Sequence, residues 1–100
     1  MNAKSPARDV SYEDRLLEDL QDAGEAAAYL EAAIEDDDPA TFLLALRQVA
    51  KAHGISEVAR KAKLGRESLY KTLSNSGNPE LQTVNKLLHA MGLRLSVQAA

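Results

Sequence analysis

The chain has 100 residues, 45% hydrophobic and 27% charged, with a formal net charge of −3, and that length supports one compact domain with short appendages rather than two separate cores. No apolar run approaches the roughly 20 residues needed to span a bilayer, and the opening residues, Met1 to Arg8, are polar with no apolar stretch behind them, so neither a membrane span nor a secretory signal is expected. The absence of cysteine excludes disulfides, thiolate catalysis and Cys-based zinc sites, and a soluble cytoplasmic protein is the expectation.

Residues 1–10 show no periodicity and read as a disordered tail. Ser11 can cap a first helix over about residues 12–22, with Asp14 placed as in a capping box and Leu16, Leu17 and Leu20 as its apolar stripe. Gly24 punctuates it. A second helix is expected over about residues 25–36, with Tyr29, Leu30, Ala33 and Ile34 on one face and Glu31 and Glu35 on the other. These elements make an acidic helical extension, residues 11–38.

Asp38-Pro39 is a helix start: Asp38 can accept from a free backbone N–H, and Pro39 suits the first helical position. A third helix, about 40–53, carries Phe42, Leu43, Leu46, Val49 and Ala50 at helical spacing and is closed by Gly54. Ser56 is then expected to cap a short helix, about 57–62. Lys63-Leu64-Gly65 turns into another, about 66–74. Asn75 to Pro79 is a turn-rich loop, and a last helix, about 80–91, sets Leu81, Val84, Leu87, Leu88 and Met91 on one stripe before Gly92. With four aromatic residues and no Trp, the core must be mainly Leu, Ala, Val and Ile.

In residues 93–100 the period changes to two: Leu93, Leu95 and Val97 alternate with Arg94, Ser96 and Gln98, which predicts one half-buried strand. Nothing else in the chain reads as a strand. Its partner would be the same strand of a second copy or a sheet edge of another protein; the remaining alternative is an irregular extension packed on its own domain.

Charge is unevenly distributed. Residues 9–38 hold twelve acidic side chains against one basic, Arg15, a net −11; residues 39–100 hold nine basic against three acidic, a net +6. Two surfaces with opposite electrostatic partners are suggested, although a solvated acidic face balancing a basic one would give the same count.

The informative stretch is Ser56 to Leu73. Val58, Ala62, Leu64, Leu69 and Leu73 supply buried faces, Ala59 is small where two helices must approach, and Arg66, Glu67, Tyr70 and Lys71 are left outward. A helix about 10–12 Å wide fits a DNA major groove about 12 Å across. Free N–H groups at its start, and near Ser56 on the preceding helix, favour phosphate.

This stretch resembles the helix-turn-helix of the Xre/Cro type, within an expected DNA-binding domain of residues 39–92. The likeness extends over about residues 12–97 to HigA-type antidote proteins of addiction (toxin–antitoxin) modules. It is carried by Ala27-Ala-Tyr-Leu30, Asp38-Pro39, Leu44-Ala-Leu46, Val49-Ala-Lys-Ala-His-Gly54, Glu67-Ser-Leu-Tyr-Lys71, Gly77-Asn-Pro79 and Met91-Gly-Leu-Arg-Leu-Ser-Val97. Two positions depart from the family pattern, Lys63 where glycine is usual and Gly65 where serine is usual. Gly65 remains a tolerable N-cap. The resemblance implies an all-α bundle of about six helices with a short C-terminal strand. It also implies an antitoxin that blocks a RelE/ParE-like toxin and, as a homodimer, binds and represses its own operator. The rival reading is a stand-alone helix-turn-helix repressor without a toxin. A two-fold dimer would set two such helices about 34 Å apart. The −11 segment would complement a basic RNA-cleaving toxin and, repelled by phosphates, should face away from DNA.

Arg66 is the first candidate for base contact, since arginine bonds guanine O6 and N7 together; the alternative is a phosphate. Glu67 either accepts from cytosine N4 or orients Arg66 or Lys71. Ser68 either packs inward or bonds a phosphate. Tyr70 either reaches a phosphate or thymine methyl or sits half-buried. Lys71 and Arg60 suit phosphates, and Asn75, Ser76 and Asn78 either meet phosphate or only shape the turn. His53, whose ring can meet free carbonyls at a helix end, and His89 have no companion at ligand spacing, so no metal or cofactor is expected. Glu35 to Asp38 reads as a cap and solvated run. No triad spacing or phosphate-binding glycine loop is present, and no enzymatic activity is expected.

Overall fold

A computed structural model describes residues 11–100; the tail expected over residues 1–10 lies outside the described residues. Six helices follow one another: α1 (Tyr12–Asp19), α2 (Ala23–Ile34), α3 (Pro39–His53), α4 (Ile55–Ala62), α5 (Arg66–Thr72) and α6 (Leu81–Ala90). The all-helical expectation holds, with boundaries shifted by one to three residues for identifiable reasons.

The capping box of α1 forms with aspartate in place of the usual glutamate. The Asp14 N–H donates to Ser11 Oγ at 3.1 Å and the Ser11 N–H to Asp14 Oδ2 at 3.4 Å. The helix stops at Asp19 because Asp22 starts the next one, accepting from the Glu25 N–H at 3.0 Å. Gly24 therefore lies inside the first turn of α2 instead of between helices. Asp38 caps α3 as expected, accepting from the Ala40 N–H at 3.0 Å with Pro39 at the start. Asp36 Oδ1 in turn accepts from the Asp38 N–H at 2.8 Å, so the acidic run is used as capping structure. Gly54 both ends α3 and starts α4, its carbonyl accepting from the Val58 N–H at 3.0 Å. Ser56 is accordingly a first-turn residue of α4 and not its cap.

One contiguous apolar core runs through the elements, from Leu20, Ala26 and Leu30 through Leu46 and Val49 to Leu69, Leu87 and Met91. α3 is its central member: α1, α2 and α4 all pack on it, while α5 and α6 pack on α4. The buried stripe of α2 is Ala26, Leu30 and Ala33, with the two small alanines letting helices approach on either side of the leucine. Ile34, expected on that face, is 52% exposed. The hydroxyl of Tyr29 donates to Gln48 Oε1 and ties α2 to α3; burial, with Tyr12 nearby, raises the pKa of that phenol.

The strand expected at residues 93–100 is not seen. These residues have no regular secondary structure, and no other described residues form a strand to complete a ladder. Leu93 packs against the core and the tail continues along α2.

Candidate nucleic-acid interface

The turn between α4 and α5 is built by hydrogen bonds at the end of α4. The Leu64 N–H donates to the Ala59 carbonyl at 2.9 Å and the Lys63 N–H to the Arg60 carbonyl at 3.2 Å, with Lys63 left-handed at φ 59°, ψ 43°. The same paired bonds end α6, where the Leu93 N–H reaches the Leu88 carbonyl at 2.8 Å and the Gly92 N–H the His89 carbonyl at 3.1 Å, with Gly92 at φ 76°. One turn type thus occurs twice, once with the residue that takes a left-handed conformation freely and once with lysine. A side chain costs about 1 kcal/mol there. Lys63→Gly is expected to raise the unfolding midpoint by roughly 4–8 °C, measured by thermal denaturation. The gain would vanish if the turn were not left-handed in solution.

α5 is short and strictly two-sided. Leu69 is wholly buried and Leu73, just past its end, is 1% exposed; burying each leucine is worth about 1.5–3 kcal/mol. Arg66, Glu67, Ser68, Tyr70 and Lys71 are all exposed. Exposure decides one of the alternatives, since Ser68 does not pack inward, whereas Tyr70, 53% exposed, is half-buried with its hydroxyl-bearing side chain bordering a hollow. Gly65 caps the helix through its carbonyl alone, accepting from the Leu69 N–H at 2.9 Å. Arg66 and Lys71 make no ion pair with any described residue.

The structure does not leave every sequence candidate free. Arg60 lies on Glu57, its Nε 3.1 Å from Oε1 and its Nη2 2.6 Å from Oε2, with Lys61 Nζ 3.8 Å from the same carboxylate. The hydrogen bond from Arg60 holds the Glu57 carboxyl below the usual carboxylate range. The cluster is therefore intact at neutral pH and is lost as pH falls through that lowered value. Its i, i+3, i+4 spacing is a readable signal that the sequence reading left unused. Ser56, Asn75 and Asn78 are exposed around the same module, Ser56 on α4 and the asparagines in the loop after α5. That loop folds back on the helix end: Ser74 Oγ donates to the Lys71 carbonyl at 2.8 Å, and the Gly77 N–H to the Ser74 carbonyl at 2.9 Å.

Arg47, not singled out from sequence, has a defined position: its Nη1 donates to the Leu73 carbonyl at 2.5 Å, fastening the end of α5 to α3. With Leu17, Lys51, Ile55, Tyr70 and Leu73 it also lines a hollow of about 450 Å³. Leu17 belongs to α1, and Glu13 of α1 pairs with Lys51 of α3 at 3.1 Å. The acidic extension was expected to turn away as a whole, yet its first helix borders the same hollow as Tyr70. His53 ends α3 with its Nδ1 buried and without a hydrogen-bond partner, so the expected contact with free carbonyls is not made by that atom. His89 is exposed.

The described residues make a small all-helical fold that displays on α5 two exposed basic side chains, Arg66 and Lys71, without an ion pair to a described residue, beside an acidic extension. Within that class, the chain belongs to the family described as probable addiction module antidote proteins, which it matches over residues 13–99. It is 40% identical over 83 residues to an uncharacterized protein of Haemophilus influenzae, spanning 83% of this chain and 86% of that protein. No solved structure is significantly similar. Membership of an antidote family implies a toxin partner. No helix among the described residues is long and apolar enough to cross a membrane.

Proposed function

We propose that the protein is a HigA-type antitoxin of a type II toxin–antitoxin module, which neutralises a RelE/ParE-like toxin and, as a homodimer, binds operator DNA to repress its own operon. It acts by binding and not by catalysis, in the cytoplasm. α4 and α5 serve as an Xre/Cro-type helix-turn-helix, α5 entering the major groove. Arg66 reads guanine from that helix while Lys71, Arg60 and the polar groups at Ser56, Asn75 and Asn78 meet phosphates.

The observation that carries the DNA half of this reading is the outward face of α5. Arg66 and Lys71 stand exposed with no ion pair to a described residue, on a helix pinned beneath by Leu69 and by Arg47. The antidote family supports the toxin half. Co-expression with the protein encoded by the reading frame beside its gene tests both: the two should co-purify, growth should be rescued, and the complex or the free protein should retard DNA from the upstream region. DNA retardation with no neighbouring toxin would leave the stand-alone repressor instead.

Affinity for DNA should fall with salt at a log–log slope near −0.9 per neutralised phosphate. Glu57→Gln frees Arg60 and Lys61 and removes a negative charge from the same module. It should strengthen binding to operator and random DNA alike and steepen that slope by about 0.9 for each phosphate gained, read by titration at several salt concentrations. An unchanged slope would mean that Arg60 does not reach the duplex.

A further inference from the structure

The tail and α2 enclose a groove of about 790 Å³, lined on the helix side by Ala27, Ala28 and Ile34 and on the tail side by Leu93, Leu95 and Val97. Its apolar side chains are progressively uncovered along the tail: Leu93 packs on the core, Leu95 is 36% exposed and Val97 is 97% exposed. With Ile34 at 52% they leave an open apolar strip on a small protein. The backbone of residues 94–100 makes no hydrogen bond to backbone among the described residues, so a length of chain with β-type alternation stands unpaired beside that strip.

The charge around the groove selects its occupant. Glu31 and Glu35 line it, and Asp36, Asp37 and Asp38 follow at the same end of α2. Arg94 is the one basic residue in the lining. Residues 11–38 carry eleven acidic side chains, all exposed, against Arg15 alone. In an isologous pair of copies meeting here, each would bring the same acidic rim to the shared face, like charge against like. A basic partner meets no such penalty. No residue of α4 or α5 lines the groove, so it can be filled while the outward face of α5 is engaged.

We propose that this groove is the docking surface for the toxin, and that its occupant is an extended, basic segment of the toxin. That segment adds a strand to residues 94–98, covers Ile34, Leu95 and Val97 with its apolar side chains, and sets its cations against Glu31 and Glu35. Pairing by strand addition gives affinity through the main chain, and the flanking side chains give specificity. The proposal rests on the antitoxin reading and deepens it by naming the surface.

The test uses the full chain and the purified protein from the adjacent reading frame. Ile34→Arg and the double variant Glu31→Lys with Glu35→Lys alter exposed side chains and should leave thermal unfolding and operator retardation as in wild type. Each should weaken toxin binding by roughly 30-fold or more, measured by calorimetry, and fail to rescue growth. The amides of residues 94–98 should gain protection from hydrogen exchange only when the toxin is present. Undiminished toxin affinity in both variants would overturn the proposal. So would protection of those amides in the free protein, with the variants dissociating its dimer while still holding toxin; the groove would then be a seam between copies. If the wild-type protein does not bind the adjacent product at all, the antitoxin reading itself fails, and this surface assignment with it.

Discussion

Arg66→Ala is expected to weaken binding to the specific operator by about 1–3 kcal/mol and to relax selectivity at one base position, with a much smaller loss on random DNA. Arg66 opens α5 on its solvent side, has no carboxylate partner among the described residues, and stands three positions before the wholly buried Leu69. The helix beneath is therefore fixed while the guanidinium is free, which is the condition for a two-pronged bond to guanine. Lys71→Ala makes the useful contrast: an ammonium contacting phosphate should cost about the same on every sequence and lower the salt slope by about 0.9. Competition titrations against operator and scrambled duplexes distinguish the two. Equal losses for Arg66→Ala on both duplexes would assign it to the phosphate backbone.

Gly77→Ala should damage stability and DNA binding together. A Cβ at Gly77 would stand 2.1 Å from the Thr72 carbonyl oxygen, 2.9 Å from the Thr72 carbonyl carbon and 3.1 Å from the Ser74 carbonyl oxygen. All three are backbone atoms, so no side chain can rotate aside. Either the loop swings out, giving up the bond from the Gly77 N–H to Ser74, or the end of α5 moves. A loss of about 1–3 kcal/mol or more follows, lowering the unfolding midpoint by roughly 4–8 °C for each kcal/mol. Asn75→Ala, exposed in the same loop, should stay within about 0.5 kcal/mol of wild type. If Gly77→Ala melted like wild type, the loop would not be held against α5 in solution.

The helices were readable because their signals are local. Ser11 and Asp38 mark starts with side chains that bond within three residues, Pro39 fits the first helical position, and the stripes of α3 and α6 repeat at helical spacing, although Leu81, expected on the α6 stripe, is 67% exposed at the helix start. The boundary at Gly24 was misread because two local signals competed there, and the carboxylate of Asp22 prevailed over the glycine. Ile34 and the tail were misjudged for a different reason. Periodicity predicts which residues share a face, but whether that face is covered depends on what else the chain folds against it. Nothing in the alternation of Leu93, Leu95 and Val97 supplies a second strand. The tie from Arg47 to Leu73 spans 26 positions and has no sequence signature, since one guanidinium and one carbonyl meet only after two helices have packed. Lys63 is the opposite case: the glycine usual at that position is a local signal, and the structure shows the left-handed conformation that glycine takes freely.

That tie also bears on how the two halves of the molecule work. α2 packs on α3, and α3 grips the end of α5 through Arg47, so one chain of contacts joins the groove beside α2 to the outward face of α5. If filling one end alters the free energy of occupancy at the other, thermodynamic reciprocity demands the same factor in both directions. Under the proposed function, a toxin that biased operator binding in either direction would be biased equally by the operator, and Arg47→Met should bring any such factor toward unity in both directions.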